Sequence, residues 1–121
     1  MAARISIPRR SKYNVDHSES GALARTYNGR KYHSAAEAKQ AAELDILKRC
    51  GRINWHAQHP LPINFNGKYI CTAIVDFWVF DHNTGEEYFI EVKGHETAEF
   101  KLKRKMLLVC YPGIDYRVVK A

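Results

Sequence analysis

The sequence predicts an α/β domain with the element order αβββαβ. Three observations lead to this order: a helical pattern that starts at Ser34, three β-type segments between residues 53 and 93, and a second helical pattern from about Thr97 to Cys110. A short strand over residues 114–119 closes the chain. With 121 residues, the chain is long enough for one domain with its own core and leaves no room for a second.

The first helix carries signals at both ends. Ser34-Ala35-Ala36-Glu37 has the form of a capping box, and Gly51 is placed to end the helix. Glu37 therefore has a structural explanation as a cap. It also shares a helical stripe with Ala41 and Leu44, and an acid on an inward stripe requires a partner. Capping and a role in a functional site both stay open for Glu37.

The strands are separated by recognisable turns. The prolines within residues 58–63 favour an edge strand or an irregular extended stretch, and Asn66-Gly67 predicts a turn into a long strand from Lys68 to Phe80. The next strand covers Tyr88–Lys93. Each of the last two strands has one acid inside its apolar run, Asp76 or Glu91.

The turn between these two strands predicts where the acids lie. If Asp81 pairs with Glu86, Asp76 lies directly opposite Glu91, and the two-residue period of a strand puts Lys93 on the same face as Glu91. Buried charges require a partner or a metal. The arrangement predicts a divalent-metal site with a cation beside it. The alternative is a partly exposed hairpin with a cross-strand Lys–Glu pair and an unrelated aspartate.

The chemistry of such a site favours a phosphodiester substrate. Mg²⁺ prefers oxygen ligands and is usually held by one or two carboxylates together with substrate phosphate. It lowers the pKa of a bound water and stabilises charge that develops on phosphate. The Lys93 ammonium would orient the attacking water or neutralise that charge.

Asp76 and Glu91-Val92-Lys93 resemble the conserved elements of the PD-(D/E)xK nuclease superfamily, with Val75 in place of the usual proline. The wider pattern resembles a family of small phage-borne nucleases that includes Holliday-junction resolvase-like members. The matching segments, spread over roughly residues 27–120, are Tyr32–Glu37, Gln58-His59-Pro60, Val75-Asp76-Phe77, Glu91–Gly94 and Lys101–Lys105.

The resemblance implies a restriction-endonuclease-like fold in which a mixed central sheet is flanked by helices. It implies Mg²⁺- or Mn²⁺-dependent hydrolysis of DNA, with Asp76 and Glu91 as principal metal ligands, Glu37 as a supporting ligand and Lys93 acting on the nucleophilic water. Gln58 becomes a site-supporting candidate by resemblance alone, whereas its residue type by itself suggests an exposed polar side chain.

Cleavage of a four-way DNA junction by a homodimer is the preferred form of this activity, because symmetric cutting of two strands requires two active sites. Another structure-specific or nicking phage endonuclease is an alternative. A third possibility is a DNA-binding module without catalysis on a nuclease-like fold. The presence of Asp76, Glu91 and Lys93 together argues against it.

The charge distribution agrees with a polyanionic partner, since the formal net charge is +6. The candidate DNA-contacting residues are Arg30, Lys31, Lys101, Lys103, Arg104 and Lys105. The predicted apolar stripe of the second helix consists of Ala98, Leu102, Met106 and Val109, with Lys103 in the arc between Met106 and Leu107. A solvated basic face is the alternative explanation for the basic residues of this helix.

Residues 1–26 are predicted to form a basic arm, and residues 27–121 the nuclease domain. Residues 1–33 carry seven Lys/Arg and two acids, which suits either a solvated terminus or contact with the DNA backbone. The three cysteines, Cys50, Cys71 and Cys110, lack paired spacing and predict reduced thiols. Because no apolar stretch resembles a signal sequence or a membrane span, we expect a cytoplasmic protein without membrane association, in the bacterial host cytoplasm if phage-encoded.

Overall fold

The computed structural model describes residues 19–121. Its elements in chain order are α1 (Glu19–Ala24), β1 (Thr26–Tyr27), β2 (Arg30–Lys31), α2 (Ala35–Arg49), β3 (Ile53–Phe65), β4 (Lys68–Asp81), β5 (Glu86–Lys93), α3 (Ala98–Cys110) and β6 (Tyr116–Lys120). The predicted order αβββαβ is confirmed from α2 to β6. Within residues 19–121, no helix has the length and apolar character needed to cross a membrane.

The chain divides into two compact units, with the boundary after Ala42, inside α2. In the first unit, β1 and β2 form an antiparallel hairpin. Its turn has positive φ angles at Asn28 and Gly29, 51° and 79°, as expected for an Asn-Gly hairpin turn. Of the predicted basic arm, residues 1–18 lie outside the described residues, and the arm stays a prediction. The helix α1 was not predicted.

Both predicted ends of α2 are confirmed. The Ser34 hydroxyl accepts a hydrogen bond from the Glu37 backbone N–H at 3.1 Å, as an N-cap does. At the other end Gly51 has a φ of 73°, and the N–H of Arg52 donates to the carbonyl of Leu47. This left-handed glycine lets the chain reverse while the last carbonyls of the helix remain bonded.

The second unit is built on a four-stranded mixed sheet in the order β3-β4-β5-β6. The pairs β3–β4 and β4–β5 are antiparallel, and β6 runs parallel to β5. Because β3 is an edge strand, Pro60 and Pro62 remove no hydrogen bond from the sheet interior, so the edge-strand alternative is the correct one. Asn66 and Gly67 form the predicted turn into β4.

The helix α3 packs against β3 and contributes to a core cluster that contains Leu61, Ile63, Val75, Phe89 and Leu107. Thr97 caps α3 by accepting a hydrogen bond from the Phe100 N–H at 3.1 Å.

Three of the four residues in the predicted apolar stripe of α3 are exposed, and the fourth, Met106, packs against the core. Ala98 is exposed, Leu102 and Val109 are 58% and 68% exposed, and Leu107 is 1% exposed. Apolar residues occur on almost every side of this helix, so more than one stripe satisfies helical periodicity. The stripe that reaches the core includes Leu107 and the half-buried Met106 and Cys110.

Candidate metal centre

The predicted pairing of β4 with β5 is confirmed. The backbone ladder runs from Asp81 opposite Glu86 to Phe77 opposite Ile90. At the next position, where Asp76 lies opposite Glu91, backbone N–H groups bond to the carboxylates of these two acids instead of to backbone carbonyls. The N–H of Asp76 donates to Glu91 Oε2 at 3.2 Å.

The second bond of this pair runs in the opposite direction. The N–H of Val92 donates to Asp76 Oδ2 at 2.8 Å. Each acid is therefore bonded to the backbone of the other acid's strand. The structure brings together the two carboxylates that the sequence placed opposite each other.

On its other side, Asp76 faces an irregular position in β3. Pairing passes from Ala57 opposite Phe77 to His59 opposite Val75, which places Gln58 at the register position of Asp76. Gln58 has a φ of 58°, a left-handed conformation that is uncommon for a side chain of this size. Strained backbone of this kind clusters at functional sites. The resemblance singled out Gln58, but its backbone conformation had no signal in the sequence.

The two carboxylates are buried, with Asp76 6% and Glu91 8% exposed. Burial, and next the negative charge of Asp76, raise the pKa of Glu91 to about 8. The hydrogen bond from the Asp76 N–H and the positive charge of Lys93 act in the opposite direction. Since burial disfavours the charged form, a neutral Glu91 is the stable form of the metal-free protein at neutral pH.

Lys93 is half-buried at the end of β5, and its charge acts on Glu91 as the sequence predicted. Its Nζ atom lies 4.7 Å from the centre of the Phe100 ring. The guanidinium carbon of Arg104 lies 5.3 Å from the same ring, and Arg104 is hydrogen-bonded to Glu96. Phe100 therefore contacts two cations that the sequence analysis singled out, although it did not single out Phe100 itself. Cation–π contacts of this kind hold cations in place while leaving them charged.

Tyr116 of β6 is a second residue that sequence reasoning missed. Burial and the negative charges of Glu91 and Asp76 raise the pKa of its phenol, so the hydroxyl stays protonated. A protonated phenol is a hydrogen-bond donor, and this one faces an acidic environment. In the sequence, Tyr116 is only an aromatic residue in a short strand and carries no further signal of a role.

Glu37 lies in the first unit and makes the contacts of a capping residue. Its Oε2 atom accepts a hydrogen bond from the His33 N–H at 3.2 Å, and its side chain is buried. The Ser34 half of the capping box is therefore confirmed, whereas the Glu37 carboxylate bonds the N–H of His33, one residue before the cap. The role in a metal site that the resemblance implies for Glu37 stays a prediction.

The predicted DNA-contacting residues have different surroundings. Arg30 and Lys31 are exposed on β2, and Lys101 and Lys105 are exposed on α3. Lys103 forms an ion pair with Glu99 at 3.5 Å and Arg104 forms one with Glu96. Partly exposed pairs of this kind contribute about 0–1 kcal/mol, so a phosphate can compete for these cations.

The cysteines are free thiols, as predicted: Cys50 is exposed, and Cys71 and Cys110 are partly buried.

No curated protein matches this sequence. A protein family does match, over residues 10–121, and it is described as "Protein of unknown function (DUF1064)". Because this match covers most of the chain, the protein belongs to that family.

Proposed function

We propose that this member of the DUF1064 family is a divalent-metal-dependent endodeoxyribonuclease of the PD-(D/E)xK type. The observation that carries the proposal is the buried pair of Asp76 and Glu91, held together by reciprocal hydrogen bonds to each other's strands. A sheet that only needed to be stable would gain nothing from two adjacent buried acids, because burying like charges is costly. Cation binding explains why both acids are there.

The donor set fits Mg²⁺ or Mn²⁺. Carboxylate oxygens are the ligands these hard cations prefer. Burial and next the charge of Asp76 raise the pKa of Glu91, and the positive charge of a bound dication would favour the ionised form instead. Asp76 and Glu91 would hold the ion, and the supporting role that the resemblance implies for Glu37 stays a prediction. When bound, such an ion supplies an acidic water and positive charge for the scissile phosphate.

Lys93 would act on the reacting groups from beside the carboxylates. Its ammonium is held over Phe100, which leaves its charge intact. In this position it can orient the attacking water or neutralise the charge that builds up on the phosphate. Arg104, on the same ring, can bind a phosphate oxygen of the DNA backbone once it leaves Glu96.

The preferred substrate is a branched DNA such as a four-way junction, cut by a homodimer. Two symmetric cuts need two active sites, and one chain of this size offers a single Asp76–Glu91 pair. The exposed Lys101 and Lys105 of α3 would contact the phosphate backbone, which determines affinity but reads no sequence.

A cleavage assay tests the proposal. Labelled four-way junction, fork, duplex and single-stranded DNA are each incubated with the protein in Mg²⁺, Mn²⁺ or EDTA. We expect cutting only with metal, and none by Asp76→Asn or Glu91→Gln, which remove a ligand charge with little change of shape. Glu86→Gln is the matched control, because Glu86 is an exposed acid at the start of the same strand.

The outcomes separate the alternatives. A wild-type protein that shifts these DNAs in a gel but cuts none is a binding module, and the nuclease proposal is then wrong. Full metal-dependent activity in Asp76→Asn or Glu91→Gln would remove that residue from the ligand set. Cutting of fork or duplex in preference to the junction would replace junction resolution by another structure-specific activity.

A further inference from the structure

Two histidines of β3 meet although their spacing in the sequence should separate them. His56 Nε2 and His59 Nδ1 are 2.7 Å apart, and their rings are stacked with centroids 5.0 Å apart. Residues three apart on a regular strand point to opposite faces. The left-handed φ of Gln58 breaks this alternation between them. The left-handed conformation of Gln58 therefore lets the imidazole nitrogens of His56 and His59 lie within hydrogen-bonding distance of each other.

Aromatic neighbours hold both rings. His56 is stacked on Trp78 with centroids 4.7 Å apart and an angle of 20° between the rings. His59 contacts the Phe89 ring at 5.2 Å. Rings fixed by such packing lose little conformational entropy when they bind a ligand, so the pair is preorganised.

We propose that His56 and His59 form a binding site for a transition-metal dication such as Zn²⁺, Ni²⁺ or Cu²⁺, with water in the remaining positions. Imidazole nitrogen suits these borderline cations, whereas Mg²⁺ prefers oxygen. The site is therefore chemically distinct from the carboxylate centre and does not depend on the nuclease proposal.

The geometry requires a small adjustment. Two nitrogens at about 2.0–2.1 Å from a tetrahedral ion are about 3.3 Å apart, so the 2.7 Å separation must open by roughly 0.6 Å. The two rings must therefore turn slightly apart against Trp78 and Phe89 when the ion binds.

Zn²⁺ binding to the full-length protein tests the proposal. A colorimetric Zn²⁺ indicator serves as competitor, and the parent protein is Asp76→Asn, which weakens the carboxylate centre of Asp76 and Glu91. We expect one Zn²⁺ per chain, with affinity lowered at least about tenfold by His56→Ala or His59→Ala, since losing one of two ligands costs more than about 1.4 kcal/mol. The control, His82→Ala, removes a histidine that lies edge-on to another aromatic ring and should change nothing.

Two further measurements test the site even if an alanine variant does not fold. His56→Gln and His59→Gln retain a hydrogen-bonding side chain, so they replace any alanine variant that circular dichroism shows to be unfolded. Zn²⁺ should also protect both histidines of the wild-type protein from acylation by diethyl pyrocarbonate. Binding that is unchanged in the His56 and His59 variants, or no bound Zn²⁺ and no protection in the wild type, would show that the pair is only a hydrogen bond.

Discussion

Replacing Glu91 with glutamine should make the metal-free protein more stable at alkaline pH and change its stability little at pH 5. In the folded protein the pKa of Glu91 is raised from 4.5 to about 8, chiefly by burial and then by the charge of Asp76. Between these two pH values the folded state holds a proton that the unfolded state has lost. The free energy of unfolding therefore falls as pH rises.

The size of the stability change follows from the interval between the two pKa values of Glu91, 4.5 in the unfolded chain and about 8 in the folded protein. The Glu91 contribution is fully present below pH 4.5 and is lost as pH rises through about 8. At about 1.4 kcal/mol per pH unit, the loss is at most roughly 5 kcal/mol. Glu91 is 8% exposed, so solvent screens little of it. Glutamine has nearly the same shape but no charge at any pH, and it should remove most of this loss.

Urea unfolding at pH 5, 7 and 9 in EDTA measures the difference. Far-UV circular dichroism follows the transition, and Glu86→Gln serves as the exposed-acid control. The Glu91→Gln and wild-type curves should nearly coincide at pH 5 and separate at pH 9, with the variant more stable. If the two proteins lose the same stability between pH 5 and pH 9, burial of Glu91 does not shift its titration and the electrostatic argument for the site is wrong.

Three other changes have clear expectations. Lys93→Ala should lower turnover more than DNA affinity in single-turnover cleavage; weaker binding with normal turnover at saturation would make Lys93 a DNA-attachment residue. Glu37→Gln should keep the cap and melt close to wild type, yet lose most Mg²⁺-dependent cleavage; near-normal cleavage across a metal titration would leave it a cap alone. Leu107→Ala should cost about 2–5 kcal/mol in urea unfolding, whereas the exposed Leu102→Ala should cost well under that. Equal losses in the two leucine variants would contradict the assignment of the buried stripe.

The sequence was sufficient to predict the meeting of Asp76 and Glu91, because one pairing, Asp81 with Glu86, determines every later pair of a regular hairpin. The same local logic predicted the cap at Ser34 and the approximate start of α3 near Thr97. These features depend on residues close together in the chain, where turn chemistry and periodicity carry the information.

Features that depend on tertiary packing were not predictable in this way. The helix α3 has apolar residues on several sides, and only the position of β3 decides that Leu107 is buried while Leu102 is exposed. The left-handed conformation of Gln58 has no signal in a residue type that rarely adopts it. Phe100 and Tyr116 become informative only when the fold brings them to the charged groups.

The crossed hydrogen bonds of the acid pair give each carboxylate its own reporter. The amide hydrogen of Val92 is bonded to Asp76, and the amide hydrogen of Asp76 is bonded to Glu91. Amide chemical shifts in nuclear magnetic resonance respond to the charge of the group that accepts the bond. A pH titration that moves the Asp76 amide signal therefore follows Glu91, and one that moves the Val92 signal follows Asp76. The same two amide signals would report the binding of added Mg²⁺ at each acid separately, without DNA and without any substitution.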